Sequence, residues 1–157
     1  MNYQIGDPVV HCSYGVGKVT GVEERAYNNT KVLFYKIEVN DLTIWVPADE
    51  NINKRLRPPV SAAAFKKLLA TLSSPAEHLP KDRRERNTML QERMKDGSVE
   101  SLCKVLRDLK FFRRDKTWSD YDSALMKRAQ KALLGEWVHS LSVTPEQAEA
   151  DLQNLLG

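Results

Sequence analysis

Hydrophobic residues change their spacing along the chain near residue 60. Before that point, short runs alternate apolar and polar residues and are separated by turn residues, as in DPVVHCS, GKVTGVEER, VLFYKIEV and LTIWVPA. In VLFYKIEV, every second residue from Leu33 to Val39 is apolar or aromatic, which is typical of a strand with one buried face. The Asn40-Asp41 pair that follows predicts a tight hairpin. Four or five such strands within about 50 residues predict a small antiparallel barrel.

After Pro58 and Pro59 the apolar residues follow helical spacing to the end of the chain. Both prolines oppose a helix and a strand ladder, so they predict a boundary between a domain over residues 1–58 and another over residues 61–157. Polar residues that can cap a helix precede four of the helical runs: Ser61, Asp82, Ser98 and Thr144. With the long run from Thr117 to Leu141, the pattern predicts an α+β protein, a small antiparallel β-barrel followed by an all-helical bundle of about five helices.

The stretch VVHCSYGVGKV, residues 9–19, raises the question of a nucleotide-binding loop. Such a loop needs a helix after its glycines, whereas Gly15 and Gly17 are followed by KVTGVEER, which continues as a strand. We therefore predict that these glycines allow positive φ and close packing at a barrel corner.

The sequence contains few residues that suggest catalysis, metal binding or a cofactor. The three histidines, His11, His78 and His139, lie in no recognisable nucleophile or metal pattern. Cys12 and Cys103 do not make a disulfide framework, and we expect both to be reduced thiols in a cytoplasm. The N-terminus does not resemble a signal peptide, and the longest apolar runs are too short to cross a bilayer. We expect a protein that is not an enzyme, has no cofactor and has no membrane partner.

Charge is unevenly distributed along the chain. Residues 1–60 contain seven Lys/Arg and seven Asp/Glu, whereas residues 78–116 contain twelve Lys/Arg and seven Asp/Glu. Residues 117–157 contain three basic and six acidic residues. A basic segment in an otherwise balanced protein indicates a polyanionic partner or, alternatively, a solvated helix face. The aromatic pairs Phe111-Phe112 and Trp118-Tyr121 are more typical of helix packing than of ligand binding.

The stretch IGDPVVHCSYGVGKVTGVEER, followed by VPADE, resembles the N-terminal module of the CarD/CdnL family of bacterial transcription factors. GSVESLCKVLRDL and the upstream LPK and RR resemble segments of that family's helical domain. The transcription-repair coupling factor shares the N-terminal module, but this sequence has no helicase motif, so we expect a stand-alone factor.

The resemblance implies a Tudor-like barrel that binds the beta subunit of RNA polymerase and a helical domain over promoter DNA at the upstream edge of the melted bubble. It implies that the polymerase contacts come from Arg25, Trp45, Val46 and Pro47. An aromatic residue and an arginine are both suited to anchoring an interface. Alternation places Trp45 and Thr43 on one face and Ile44 and Val46 on the other, which leaves Trp45 either at an interface or in the core.

One position departs from the family pattern. Relatives have a tryptophan at the start of the basic helix, where it wedges into the minor groove beside the bubble, and counting back from Gly97 places Arg83 there. We predict that Arg83 enters a narrow minor groove. We also predict that Lys81, Arg84 and Arg86 contact phosphates, which position a protein without reading sequence.

Two kinds of function remain open from these residues. The first is a monomeric, nucleoid-associated regulator that stabilises the open promoter complex through polymerase and promoter DNA. The second is a polymerase-binding adaptor whose helical domain recruits another protein, which the absent tryptophan and the acidic last segment favour.

Overall fold

The computed structural model describes residues 3–157. The chain divides into two compact units, one that ends at Pro59 and one that spans Val60–Gly157. The first unit is a five-stranded antiparallel sheet and the second is a bundle of helices. The α+β fold predicted from the sequence is therefore confirmed.

The sheet has the strand order β4-β3-β2-β1-β5. In chain order, the first unit contains the strands β1 (Pro8–His11), β2 (Gly15–Tyr27), β3 (Thr30–Val39) and β4 (Leu42–Pro47), the short helix α1 (Ile52–Arg55) and the strand β5 (Leu56–Arg57). Two of the three hairpin turns between the described strands use asparagine at positive φ, Asn28 and Asn29 before β3 and Asn40 before β4. Asparagine tolerates this conformation better than most residues, so the turns lie where these side chains occur.

One face of the sheet forms the core of the first unit. The core side chains are Tyr3, Val9, Val19, Tyr35, Ile37, Val39, Val46, Ile52 and Leu56. The prediction that Leu33 shares this buried face is wrong, because 41% of Leu33 is exposed. β4 pairs with β3 only from Phe34 onward, and β1 pairs with β2 only up to Lys18. The outer part of the β2–β3 hairpin is therefore a two-stranded ribbon, and Leu33 lies at its start, beyond the side chains of the core.

Gly15 and Gly17 have the two roles predicted for them. Gly15 has a φ of +87°, a conformation that residues with a side chain rarely adopt. At Gly17, a Cβ atom would lie 2.7 Å from the Glu38 carbonyl oxygen and 2.6 Å from Val39 Cγ2. The β2–β3 crossing is thus too close for a side chain at this position.

Replacing Gly17 with alanine should destabilise the first unit. Overpacking of this kind costs about 1–3 kcal/mol of unfolding free energy, because backbone as well as side chain must shift. Amide hydrogen exchange of β2 and β3 at increasing urea concentrations measures the change. Gly21→Ala is the matched control, since a Cβ there would meet only Lys36 side-chain atoms at 3.4 Å and beyond. Equal stabilities of the two variants would contradict this account of Gly17.

The second unit contains five helices, α2 (Ala62–Ser73), α3 (Arg83–Asp96), α4 (Val99–Phe112), α5 (Asp120–Leu141) and α6 (Pro145–Leu156). Each predicted cap accepts a backbone hydrogen bond from the first turn of its helix: Ser61, Asp82, Ser98 and Thr144. Gly97 ends α3 in the left-handed conformation, as a C-terminal glycine often does.

The apolar stripe of α4 is fully buried, with Val99, Leu102, Cys103, Leu106 and Leu109 all at most 3% exposed. Burial raises the pKa of the Cys103 thiol to about 12, so this thiol stays protonated and unreactive.

A buried carboxylate on α4 joins three segments of the helical unit. Asp108 is fully buried, and it accepts hydrogen bonds from Arg93 Nη1 of α3 at 2.8 Å and from its neighbour Arg107 Nε at 2.7 Å. It also accepts the backbone N–H of Glu77 at 2.9 Å, while Arg107 Nη1 donates to Ser74 Oγ at 2.8 Å. The Asp108 carboxylate therefore holds α3, α4 and the segment after α2 together.

Candidate functional site

The exposed face of the sheet presents an arginine stacked on two aromatic rings. The Arg25 guanidinium lies 4.4 Å from the Trp45 ring centroid and 5.8 Å from that of Phe34. Cross-strand pairing creates this cluster, because Lys36 opposes Trp45 and Phe34 opposes Pro47 across β3 and β4. Side chains at paired positions lie on the same face of a sheet. We call Arg25, Phe34, Trp45 and Pro47 the arginine–aromatic face.

The position of Trp45 resolves the alternative left by the sequence. Trp45 is 37% exposed and lies on the arginine–aromatic face, whereas Val46 is only 2% exposed and belongs to the core. Three of the four residues predicted for the polymerase contact therefore share one face. The prediction that Val46 contacts the polymerase must be corrected, because its side chain points into the core. Val46 can only support Trp45 and Pro47 from the core side of the sheet.

The arginine–aromatic face is ordered by weak, solvent-exposed interactions. Arg25 Nη2 lies 3.4 Å from Glu23 Oε2, with about half of each side chain exposed. Exposed ion pairs contribute little to stability, whereas a cation over an indole ring contributes about 0.5–1 kcal/mol. The cluster thus holds the Arg25 guanidinium over the Trp45 ring, and the remaining N–H groups of Arg25 are free to bind a partner. The arginine–aromatic face is therefore suited to docking on a protein surface.

The helical unit exposes some of the predicted DNA-binding cations but not all of them. Lys81, Arg83 and Arg84 are exposed, and Arg83 begins α3. Arg86 is only 6% exposed, and its Nη1 donates to the carbonyl oxygens of Pro80 at 3.2 Å and Lys81 at 3.0 Å. The expectation that Arg86 contacts phosphates is therefore not supported by its position. Arg86 instead orders the segment that carries Lys81.

The two aromatic pairs singled out in the sequence differ in their exposure to solvent. The Phe111 and Phe112 rings are partly buried under cations, with the Arg114 guanidinium 3.8 Å from the Phe111 centroid and Lys116 Nζ 4.5 Å from that of Phe112. In contrast, Trp118 and Tyr121 are 36% and 43% exposed, and the Tyr121 hydroxyl accepts a hydrogen bond from Gln91 of α3, so their role in helix packing stays a prediction. Sequence reasoning also missed the basic residues beside the phenylalanines. The run KFFRRDK, residues 110–116, could have indicated these basic residues, because it interleaves aromatic and basic side chains.

The structure gives His11 a structural role and shows no metal-binding group in its described residues. His11 Nδ1 accepts the backbone N–H of Ser13 at 3.0 Å and lies 3.3 Å from that of Tyr14, so it shapes the β1–β2 turn. Burial, with a smaller contribution from Arg55, lowers the pKa of His11 and keeps the ring neutral. Across the described part of the chain, His, Cys, Asp and Glu side chains form no group of three or more that could hold a metal ion. Within residues 3–157, every helix is too short or too polar to span a lipid bilayer.

Comparison with known proteins identifies the class of protein that this sheet and these helices build. Residues 3–60 match the family model described as the CarD-like/TRCF RID domain, and residues 67–153 match the model described as the CarD C-terminal domain. These are domains of transcription regulators that interact with RNA polymerase. The chain belongs to the CarD/CdnL family of transcription regulators.

A relative in the same class agrees with this assignment. The chain is 21% identical over 154 residues to the "Putative transcription factor YdeB" of Bacillus subtilis (strain 168). The similarity covers 94% of this chain and 98% of the relative, so it includes both units.

Proposed function

We propose that the protein binds the beta subunit of RNA polymerase through its arginine–aromatic face and contacts promoter DNA near the upstream edge of the bubble through Lys81, Arg83 and Arg84. The observation that carries the proposal is the Arg25–Trp45 stack, at 4.4 Å, on the exposed face of the unit that matches the polymerase-interacting domain. Arginine and tryptophan are the residue types most enriched at the energetic centres of interfaces.

The DNA contact proposed here is electrostatic. Lys81, Arg83 and Arg84 are exposed side chains at the start of α3. Such contacts are tolerant of sequence and weaken steeply with salt. The first unit tethers these cations to polymerase at the promoter, and this raises their local concentration so that weak contacts suffice.

The proposed consequence is a longer-lived open complex. If the cations favour melted over closed promoter DNA by about 1.4 kcal/mol, the ratio of open to closed complexes rises about tenfold. At promoters limited by escape, the same stabilisation slows output. A protein in this role acts as a monomer on the nucleoid, in the cytoplasm, and needs no cofactor.

Reversing the charge of Arg83 and Arg84 tests the DNA contact. In complexes with polymerase and a promoter fragment, the Arg83→Glu/Arg84→Glu protein should shorten the bubble lifetime up to about tenfold relative to wild type. The slope of the logarithm of the binding constant for DNA against the logarithm of the salt concentration should fall by about 2, because two cations that displace counterions from DNA are lost. Footprinting and heparin-challenged decay measure the two effects.

A charge reversal elsewhere on the helical unit provides the control. Lys127 is exposed on α5, so Lys127→Glu changes a similar exposed charge away from the start of α3. Unchanged protection and unchanged bubble lifetime in the double variant would reject the DNA contact while leaving polymerase binding intact.

The exposure of Trp118 and Tyr121 favours a second candidate function. These two aromatic side chains lie at the start of α5 and are suited to binding another protein, which would make the chain a polymerase-bound adaptor. In that case Trp118→Ala would release the second protein, and the Arg83→Glu/Arg84→Glu variant would keep full regulatory activity.

A further inference from the structure

A concave site with aromatic and basic walls lies on the helical unit. It is formed by the segment before α3 and by the C-terminal end of α4, and it has a volume of about 490 Å³. This volume lies within the range of about 300–1,000 Å³ that is typical of small-ligand sites. We call it the α4 pocket, and its functional side chains are His78, Lys81, Phe111, Phe112, Arg114 and Lys116.

The Arg114 guanidinium forms a flat platform in the α4 pocket. It lies 3.8 Å from the Phe111 centroid, and its Nη1 donates to the Phe111 carbonyl oxygen at 2.6 Å. The His78 ring meets Phe111 edge-on, with centroids 5.4 Å apart. One face of the guanidinium therefore rests on Phe111, and half of the Arg114 side chain remains exposed. Planar bases stack on arginine guanidinium groups as well as on aromatic rings.

The charges around the α4 pocket favour an anion. Lys81 and Lys116 are exposed, and Lys116 Nζ is positioned by donating to the Phe112 carbonyl oxygen at 3.0 Å. Nearby carboxylates are engaged elsewhere or point outward. Asp82 caps α3, and Glu77 lies 3.6 Å from Arg93. Asp115 lies 3.6 Å from Arg114 but is 83% exposed.

We propose that the α4 pocket binds an unpaired nucleobase together with its phosphate, with the base on Arg114 and the phosphate between Lys81 and Lys116. A base inside a duplex has both faces covered by its neighbours, so only a single strand or a free nucleotide can present one. A melted DNA strand is the source to which we commit. This choice of ligand rests on the proposed function. The melted strand would be a second ligand, bound next to the promoter duplex that the protein is proposed to contact.

Binding of short oligonucleotides to the full-length protein tests this inference. We compare fluorescent octathymidylate with an octamer of the same charge that contains abasic sites. Stacking of one base is expected to tighten binding at least about fivefold over the abasic strand. Arg114→Lys keeps the charge and Phe111→Leu keeps an apolar side chain, yet each removes part of the platform, so each should bring the ratio close to one. Lys127→Gln, outside the pocket, should lower both affinities equally and leave the ratio unchanged.

The competitors distinguish the possible ligands. Displacement of octathymidylate by millimolar thymidine monophosphate would support the pocket and assign it to free nucleotides, whereas resistance would assign it to the strand. Equal binding of the thymidine and abasic strands, or equal displacement by polyglutamate of the same charge, would overturn the inference. Neither result would affect capture by the polymerase beta subunit or protection of duplex DNA, so failure here is separable from failure of the proposed function.

Discussion

Arg25→Glu should reduce capture of the full-length protein by the isolated lobe of the polymerase beta subunit at least about 30-fold, which corresponds to about 2 kcal/mol. The substitution removes the cation from the Trp45 ring and places a second carboxylate near Glu23, which now lies 3.4 Å from the guanidinium. Trp45→Ala should cause a loss of similar size, since it removes the other half of the stack. Pull-down followed by titration measures both affinities.

Charge reversal on the opposite face of the same hairpin is the matched control. Lys31 lies on β3 with an exposed side chain, and alternation directs it away from the face that carries Phe34 and Lys36. Lys31→Glu should therefore retain capture within a factor of about two. Thermal unfolding of all variants should be similar, because Arg25, Lys31 and Trp45 are all exposed. Full capture of the Arg25→Glu protein would refute the proposed interface.

Asp108→Asn should lower the free energy of unfolding of the helical unit by about 3–5 kcal/mol. The amide cannot neutralise Arg93 and Arg107, whose side chains are only 14% and 9% exposed. Two poorly hydrated cations would then face each other, with the exposed Glu77 carboxylate, 3.6 Å from Arg93, as the remaining counter-charge. Urea unfolding monitored by helical circular dichroism measures the loss, and Glu92→Gln on the exposed side of α3 is a control expected to change stability by less than about 0.5 kcal/mol.

The same carboxylate should make stability sensitive to acid. Burial raises the pKa of Asp108, but hydrogen bonds from Arg107, from the Glu77 backbone and from Arg93 outweigh it and hold the pKa below its usual value. Its contribution is therefore complete above the unfolded-state pKa of about 3.9 and is lost as the pH falls through the lower folded-state value. Wild type should lose stability more steeply than Asp108→Asn as the pH falls below about 4. Parallel acid curves would contradict this role.

Local chemistry allowed much of the fold to be predicted. The caps at Ser61, Asp82, Ser98 and Thr144 were correct because each depends on one polar side chain and the first turn of its own helix. The turn at Asn40 was correct for the same reason. In contrast, α1 and β5 were not located, because a four-residue helix is too short to show a repeating pattern and the two residues of β5 depend on pairing with β1.

The candidate site was less predictable because burial depends on distant segments. Alternation separated Trp45 from Val46 but left open which of them was exposed until the sheet defined its core face. Arg86 looks like any other cation in DRRERN, but its burial, its stacking on the Phe112 ring and its hydrogen bonds to Pro80 and Lys81 distinguish it from Arg83 and Arg84. Leu33 was misplaced because strand lengths, rather than the residue pattern, determine where the third strand ends.

The outer ribbon of the β2–β3 hairpin has a consequence for how this family can diverge. Because no third strand crosses it, residues such as Arg25 and Leu33 face solvent and contribute little to the unit's core. Substitutions there carry almost no folding penalty, so the surface that we propose as the polymerase contact can change in step with its partner. Chimeras that exchange only residues 22–33 between distant relatives would thus shift partner preference through position 25 without rebuilding the domain.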